Sequence, residues 1–477
     1  MIDVDLYPFL HRVNRPLAAR YEARRRAGMQ HFLETVDPEK LESMGKREAL
    51  KAFRRAAGRT TFYEKVLSEH GVDPRSIRSI EDFARLPILT KDIFHSYPLI
   101  DLVRDHHLDD AKSILTSSGF SGLFSFGINM QKNLDNTGRL IDMALNIILD
   151  IERYKAMVIN CLPMGVKVLT NIMLLAEVGV REDMALALVK KFGPHYERII
   201  IVGEAFFLKF LVEEGIRVGI DWKSLPVSLI AGEDSFPENY RDYMCDLLGV
   251  EDTVPTKKFV GSSMGVAELD INLFHETFDT VRLRQLAEQD ETFRRALFGD
   301  VPHLPMLFHY YPHRTYLEES PEGEVIVTMT SPYLKIPLIR FNAKDRGRVI
   351  SYRSLERVLG EQGRKDLLPK LHMPLVAVES RASNGLDGFH ADTVRHAIFS
   401  DSRFPPLLTC HFKLALEGSS MCIRLHLKRD AVWPEDYTRD LEEIVARSGR
   451  TVTIEPVPYY EFSEGLTLDY NKKFNHL

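Results

Sequence analysis

The hydrophobic and polar positions of the chain fall into short segments of two kinds. Between about residues 38 and 70, LESMGKREALKAFRRAAG mixes apolar and charged residues at helical spacing and FYEKVLSEHG closes on a glycine, so both predict helix. In SIEDFARLP, Ser79 and Asp82 have capping-box spacing and Pro87 stops the helix. From Ala156 onward, β-branched runs alternate with helical ones: AMVINCLP, REDMALALVKKFG, RIIIVGE, AFFLKFLVEEG, PVSLIAGE and NYRDYMCDLLGV. That alternation predicts parallel strands joined by crossover helices, an α/β core. GEVIVTMT and RGRVISY read instead as antiparallel strands. After about residue 380 the order becomes helix, strand LLTCHFKLAL, strand MCIRLHLKR, helix YTRDLEEIVARSG and strand TVTIEPVP, which predicts a small α+β module. The expected division is a large α/β part, residues 1–378, and a small part, residues 379–477.

Composition narrows the function classes. A hydrophobic fraction of 44% and a charged fraction of 27% are those of a globular chain. A net charge of −6 gives no general reason to bind nucleic acid or an anionic membrane, while leaving small anionic ligands open. The run Arg24 to Arg26 reads as a solvated helix face. Cys161, Cys245, Cys410 and Cys422 lie far apart with no C-x-x-C pair, so neither a disulfide framework nor a zinc knuckle is indicated, and a reducing, cytoplasmic compartment is expected. The first residues lack the basic start and apolar run of a signal peptide. The most apolar segment, RIIIVGEAFFLKFLVEEG, is broken by Glu204 and Lys209, short of the about 20 residues a membrane span needs.

Candidate chemistry begins at ILTSSGFSGLFSFG. Its Ser117, Ser118, Gly119, Ser121 and Gly122 combine glycines, which let backbone N–H groups converge, with hydroxyl donors; this suits a phosphate, and also a simple Ser/Gly turn. Neither G-x-x-x-x-G-K-[ST] nor G-x-G-x-x-G is present. Gly232 and Glu233 follow VSLIAG at a strand end, where ligands collect in open α/β sheets. His106 and His107 in RDHHLDD match no metal-binding helix and read as a solvated loop.

Several segments together carry a resemblance. LTSSGFSG resembles the TSSGTTG-type loop of adenylate-forming enzymes, and FYEKVLSEHGVDPRSIRSIEDFARLPILTKDIF resembles the entry segment of their phenylacetate:coenzyme A ligase branch. AGEDSF is similar to that branch's GGEPL, MGVAEL to its YGxTEL, and EGEVIVTMTSPYLKIPLIRFNAKDRGRV to its GELVxTxL…PLIRYRTGDxG, in the same order over nearly the whole chain. The resemblance implies a large adenylate-forming domain with a mobile lid, using ATP, Mg2+ and coenzyme A. The partner would be a small-molecule carboxylic acid, activated to an acyl-adenylate and passed to a thiol.

The same resemblance implies residue roles. Ser117, Ser118, Gly119, Ser121 and Gly122 would close over the β- and γ-phosphates, with Phe120 in place of a threonine, and Gly232 and Glu233 would lie beside the adenine. Glu268 would act in catalysis and hold Mg2+, although a shifted register on VGSSMG would put Met264 in its place. Asp345 would accept both ribose hydroxyls, as an acceptor-only carboxylate can, and Arg340 reads equally as an ion-pair residue or a ligand contact. Arg381 would open the hinge, whose acids are replaced by Ala382 and Ser383. Lys472 would be the late catalytic lysine, with Lys473 the alternative, and an alternating lid would confine its role to adenylation. Transfer to a carrier protein or an amine, and a nucleotide-binding protein that no longer ligates, are the other readings.

Overall fold

The computed structural model describes residues 15–116, 125–163, 166–250, 258–379, 385–418 and 420–461. The amino-terminal helices are α1 (Arg15–Thr35), α2 (Pro38–Ala57) and α3 (Thr61–Glu69). Asp37 starts α2 by accepting the backbone N–H groups of Glu39 at 2.9 Å and Lys40 at 3.2 Å. The helix expected across residues 38–70 is therefore two helices, parted at Gly58. SIEDFARLP forms only a 3-10 turn, Asp82–Arg85. Arg26 corrects the solvated-face reading: it is buried and paired with Glu152 and Glu22, so this run ties α1 to the body.

One eleven-stranded sheet organises the molecule. Its strands are β3 (Ala156–Asn160), β4 (Leu174–Glu177), β5 (Arg198–Glu204), β6 (Val227–Gly232), β7 (Val260–Val266), β8 (Asp270–His275), β9 (Met306–Tyr310), β10 (Thr315–Glu319), β11 (Glu324–Met329), β12 (Phe341–Ile350) and β13 (Leu375–Val378). They lie in the order β10-β11-β12-β13-β9-β8-β7-β6-β5-β3-β4. From β4 to β7 neighbours are parallel, and from β7 to β10 antiparallel. The parallel half reads as unbroken apolar runs because both of its faces are covered: every residue of β3 and β6 is buried. The covering helices are α4 (Gln131–Leu149), α5 (Glu182–Phe192), α6 (Ala205–Arg217), α7 (Glu238–Leu248) and α8 (Phe278–Gln289), with α9 (Glu291–Phe298) and α10 (Tyr352–Glu361) over the antiparallel half.

A separate hairpin, β1 (Ala111–Thr116) and β2 (Phe126–Met130), lies against this sheet. Beyond Val378 come the short pair β14 (Gly385–Leu386) and β15 (Phe389–His390), then α11 (Ala391–Phe399), β16 (Leu408–Glu417), β17 (Ser420–Leu427), α12 (Glu435–Ala446) and β18 (Val452–Val457). β16 and β17 pair antiparallel and β17 and β18 parallel, so the helix-strand-strand-helix-strand order read from the sequence is present. All four cysteines are free and buried.

Candidate functional site

The parallel strands end together. β5 ends on Glu204, whose carboxylate caps α6 by accepting the N–H of Phe206 at 3.0 Å and of Phe207 at 2.8 Å. Burial pushes this carboxyl up to about 7; the Asp234 charge adds to the rise, while the two N–H groups and Arg395 oppose it. β6 ends at Gly232, where an added Cβ would meet Leu162 Cδ2 at 3.3 Å and Ser263 O at 3.8 Å. Glu233 follows in the left-handed region, with φ 74°, and turns the chain out of the strand.

Beside these ends, β7 and β8 form a hairpin with Glu268 in its turn. Glu268 is buried, its side chain only 1% exposed. Ser125 Oγ donates to Glu268 Oε1, and Lys91 Nζ lies 2.9 Å from the same oxygen. Gly127 explains how β2 comes this close: a Cβ there would collide with the Ala267 carbonyl. On its other side β2 is held by Lys335 N–H to Ile128 O at 3.0 Å. The five loop residues Ser117, Ser118, Gly119, Ser121 and Gly122 lie outside the described residues, but their flanks are fixed, since Thr116 pairs with Phe126. The described chain thus resumes at Ser125, on the Glu268 carboxylate.

Lys91 reaches this point because Leu89 is stitched to β12. Its N–H donates to Arg340 O at 2.9 Å and its carbonyl accepts from Asn342 N–H at 2.8 Å. Asp345 is buried further along the same strand, past a bulge at Lys344, φ 69°. The segment from Leu89 to Lys91 therefore links the strand of Asp345 to Glu268. Arg340 is a structural residue: its guanidinium binds Glu318 at 3.1 Å and the carbonyls of Ala84 and Leu86.

Buried polar groups brace the Glu268 hairpin at both ends. At one, Arg241 of α7 bonds Glu238 and Glu276, Arg284 of α8 bonds Glu238, and Glu276 accepts the Ser262 N–H at 2.7 Å. Burial opposes the charge on Glu238, but Arg241 and Arg284 outweigh it and hold that carboxyl below its usual value. At the other end Asp270 accepts from Thr137 at 3.1 Å and pairs with Arg314. Such groups fix position through the cost of leaving any of them unpaired. Met264 lies within β7, opposite Phe274, while the turn carries the buried carboxylate.

Of the residues singled out in the sequence, Gly232 and Glu233 gather at the strand ends, Glu268 sits in the adjoining hairpin and Asp345 on β12. Arg381 and Lys472, with Lys473, lie outside the described residues. Sequence reasoning missed Lys91, Ser125 and Glu204. Chemically, a buried carboxylate with an ammonium beside it at the root of a Ser/Gly loop can hold a cation, and the ammonium can turn to an anion. Among the described residues no group of three or more His, Cys, Asp or Glu could hold a metal ion, so a cation here would lean on Glu268 and on oxygens of a ligand.

No family model matches the chain, and no curated protein matches it. Solved structures do. A 2-hydroxyisobutyryl-CoA ligase in the postadenylation state, in complex with R3-HIB-AMP, is similar with a TM-score of 0.68 at 12% identity, over 93% of this chain and 90% of that one. The same ligase in the thioesterification state, with 2-HIB-AMP and CoA, gives 0.53 at 14% identity, over 92% and 90%. The fold of this chain is that of these adenylate-forming ligases. No helix among the described residues is long and apolar enough to cross a membrane.

Proposed function

We propose that the protein is an ATP-dependent, AMP-forming acid-thiol ligase. The observation that carries this reading is the Glu268 carboxylate, buried with Lys91 at the root of the Ser/Gly loop, in a fold whose solved examples hold acyl-adenylates. In the first half-reaction a carboxylate oxygen attacks the α-phosphorus of ATP, pyrophosphate leaves, and an acyl-adenylate forms. In the second a thiol sulfur attacks the acyl carbon, the thiol proton is lost and AMP leaves. A carboxylate is already the nucleophile of the first step, so catalysis there is positioning and charge neutralisation.

The roles divide accordingly. Ser117, Ser118, Gly119, Ser121 and Gly122 hold the β- and γ-phosphates, and Lys91 supplies a positive charge beside them. Glu268 would hold Mg2+ together with phosphate oxygens, the ion supplying further neutralisation of their charge. Gly232 and Glu233 border the adenine, Asp345 holds the ribose hydroxyls, and Lys472 approaches the α-phosphate. Residues 379–477 form the lid, Arg381 belongs to its link, and the motifs are similar to those of the phenylacetate:coenzyme A ligase branch. The substrate is a small carboxylic acid, the acceptor coenzyme A and the compartment the cytoplasm.

ATP-pyrophosphate exchange measured across a panel of small carboxylic acids tests the reading. Exchange dependent on one class of acid is expected; none with any acid leaves a nucleotide binder that does not ligate. Thioester formation with coenzyme A, against a carrier-protein thiol and an amine, then identifies the acceptor.

A further inference from the structure

Three separated pieces of the chain meet at one oxygen of Glu268. Ser125, the residue before β2, is fully buried and its hydroxyl donates to Oε1, and the nearest approach of Lys91, at 2.9 Å, is to the same atom. Packing fixes the pieces around this point. The Phe126 ring lies 5.1 Å from that of Phe94, in the short helix Ile93–Ser96 that follows Lys91, so the start of β2 and the Lys91 segment are keyed beside each other. Gly127 lets β2 run against the Ala267 carbonyl, and Ala267 immediately precedes Glu268.

The two partners hold that oxygen differently. Lys91 reaches it on a flexible four-carbon stem, so its ammonium can follow a carboxylate that turns, or leave it for an anion. The Ser125 hydroxyl hangs from a buried backbone by one staggered χ1 torsion, and its single hydrogen goes to Glu268. Held by Lys91 alone, the carboxylate would be free to exchange its two oxygens; held by Ser125, it is not. Groups that hydrogen-bond a metal ligand set its orientation and basicity in this way. We propose that Ser125 is a positioning residue: by holding Oε1 it fixes the rotation of the carboxylate through which Glu268 would hold Mg2+, and it keeps that oxygen partnered when Lys91 turns to a ligand. The assignment rests on the ligase reading in one respect, that the cation is the one accompanying ATP.

The test reads the cation before turnover. Mn2+ stands in for Mg2+, and its affinity for the ATP complex of the full chain is measured from the electron paramagnetic resonance signal of free Mn2+. Ser125→Ala is expected to weaken that affinity about tenfold, the low end of what loss of such an orienting bond costs, while the melting temperature moves little. In the Glu268→Gln background, itself weaker than the parent, the same change is expected to add nothing, because the carboxylate it orients is gone. Unchanged Mn2+ affinity in Ser125→Ala or in Glu268→Gln, or an equal loss from Ser125→Ala with and without Glu268, would overturn the proposal. Should Ser125→Ala fail to fold, Ser125→Cys, close in size and a weak donor, is read in the same way. Mn-ATP binding without pyrophosphate exchange on any acid would remove the ligase reading and leave the Ser125 result standing; a parent protein that binds no Mn-ATP would overturn both.

Discussion

Two lysines of this chain lie against glutamates at nearly equal distances, Lys91 at 2.9 Å from Glu268 and Lys209 at 3.0 Å from Glu213, and they do opposite things. Lys209 is sealed in, with each donor matched to an acceptor that belongs to the fold. Lys91 is 16% exposed, and among the described residues its partner is Glu268, which it shares with Ser125. A saturated ammonium holds parts of a chain together. One with donors to spare, partly exposed beside a buried carboxylate, is placed to meet a charged ligand.

The strongest way to break this contrast is Lys91→Met. On the proposed ligase reading, loss of this charge is expected to slow ATP-pyrophosphate exchange about 100- to 1000-fold, equivalent to about 2.7–4 kcal/mol, while the melting temperature moves little. Equal loss of stability and activity would make Lys91 a second structural lysine. Lys209→Met is expected to do the converse. Two carbonyls lose their donor, for about 2–3 kcal/mol of unfolding free energy measured by urea titration, while ATP affinity changes less than about threefold.

Asp345→Ala sharpens the ligand side of the comparison. On the proposed reading of Asp345 as the ribose acceptor, its removal should cost about 2 kcal/mol, or about thirtyfold in ATP affinity by calorimetry, in a variant that remains folded. The smallest effect concerns Glu204. Its carboxyl is raised to about 7 in the folded chain by burial, so folding takes up a proton between the ordinary carboxylate range and about 7. Stability from this group is therefore present at low pH and lost as pH rises through that window. The melting temperature of the parent protein should fall relative to Glu204→Gln between about pH 5 and 7, with Asp234 and Arg395 as the charges facing the group. A difference independent of pH would mean that Glu204 titrates as an ordinary surface carboxylate.

Much of the fold was legible because its rules are local. Apolar runs in Val158, Ile200 and Leu229 segments marked the covered strands, and the last third of the chain showed its own alternation. Gly232, Glu268 and Asp345 were singled out through short motifs, and they stand at a strand end, in the β7–β8 turn and on β12. Lys91 was not, because nothing in LTKDIF marks its pairing with Glu268 until Leu89 is threaded beside Phe341 and Glu268 arrives from far along the chain. Lys209 was noticed only as an interruption of an apolar run. A buried lysine looks like that in a sequence, since its acceptors, Pro405 and Leu408, lie almost two hundred residues away. Arg26 was misread for the same reason: its partner Glu152 is remote.

The burial of the cysteines has a consequence for chemical self-protection. An acyl-adenylate is a mixed anhydride, and any thiolate within reach competes for its acyl group. Burial pushes the Cys161 thiol, just past the end of β3, up to about 12, and that of Cys410 up to about 11. Cys245 and Cys422 are buried as well, and these four are all the cysteines the chain has. On the proposed ligase reading, Cys161 and Cys410 stay protonated and all four thiols lie shielded from acylation, so the sulfur that meets the anhydride arrives with the acceptor.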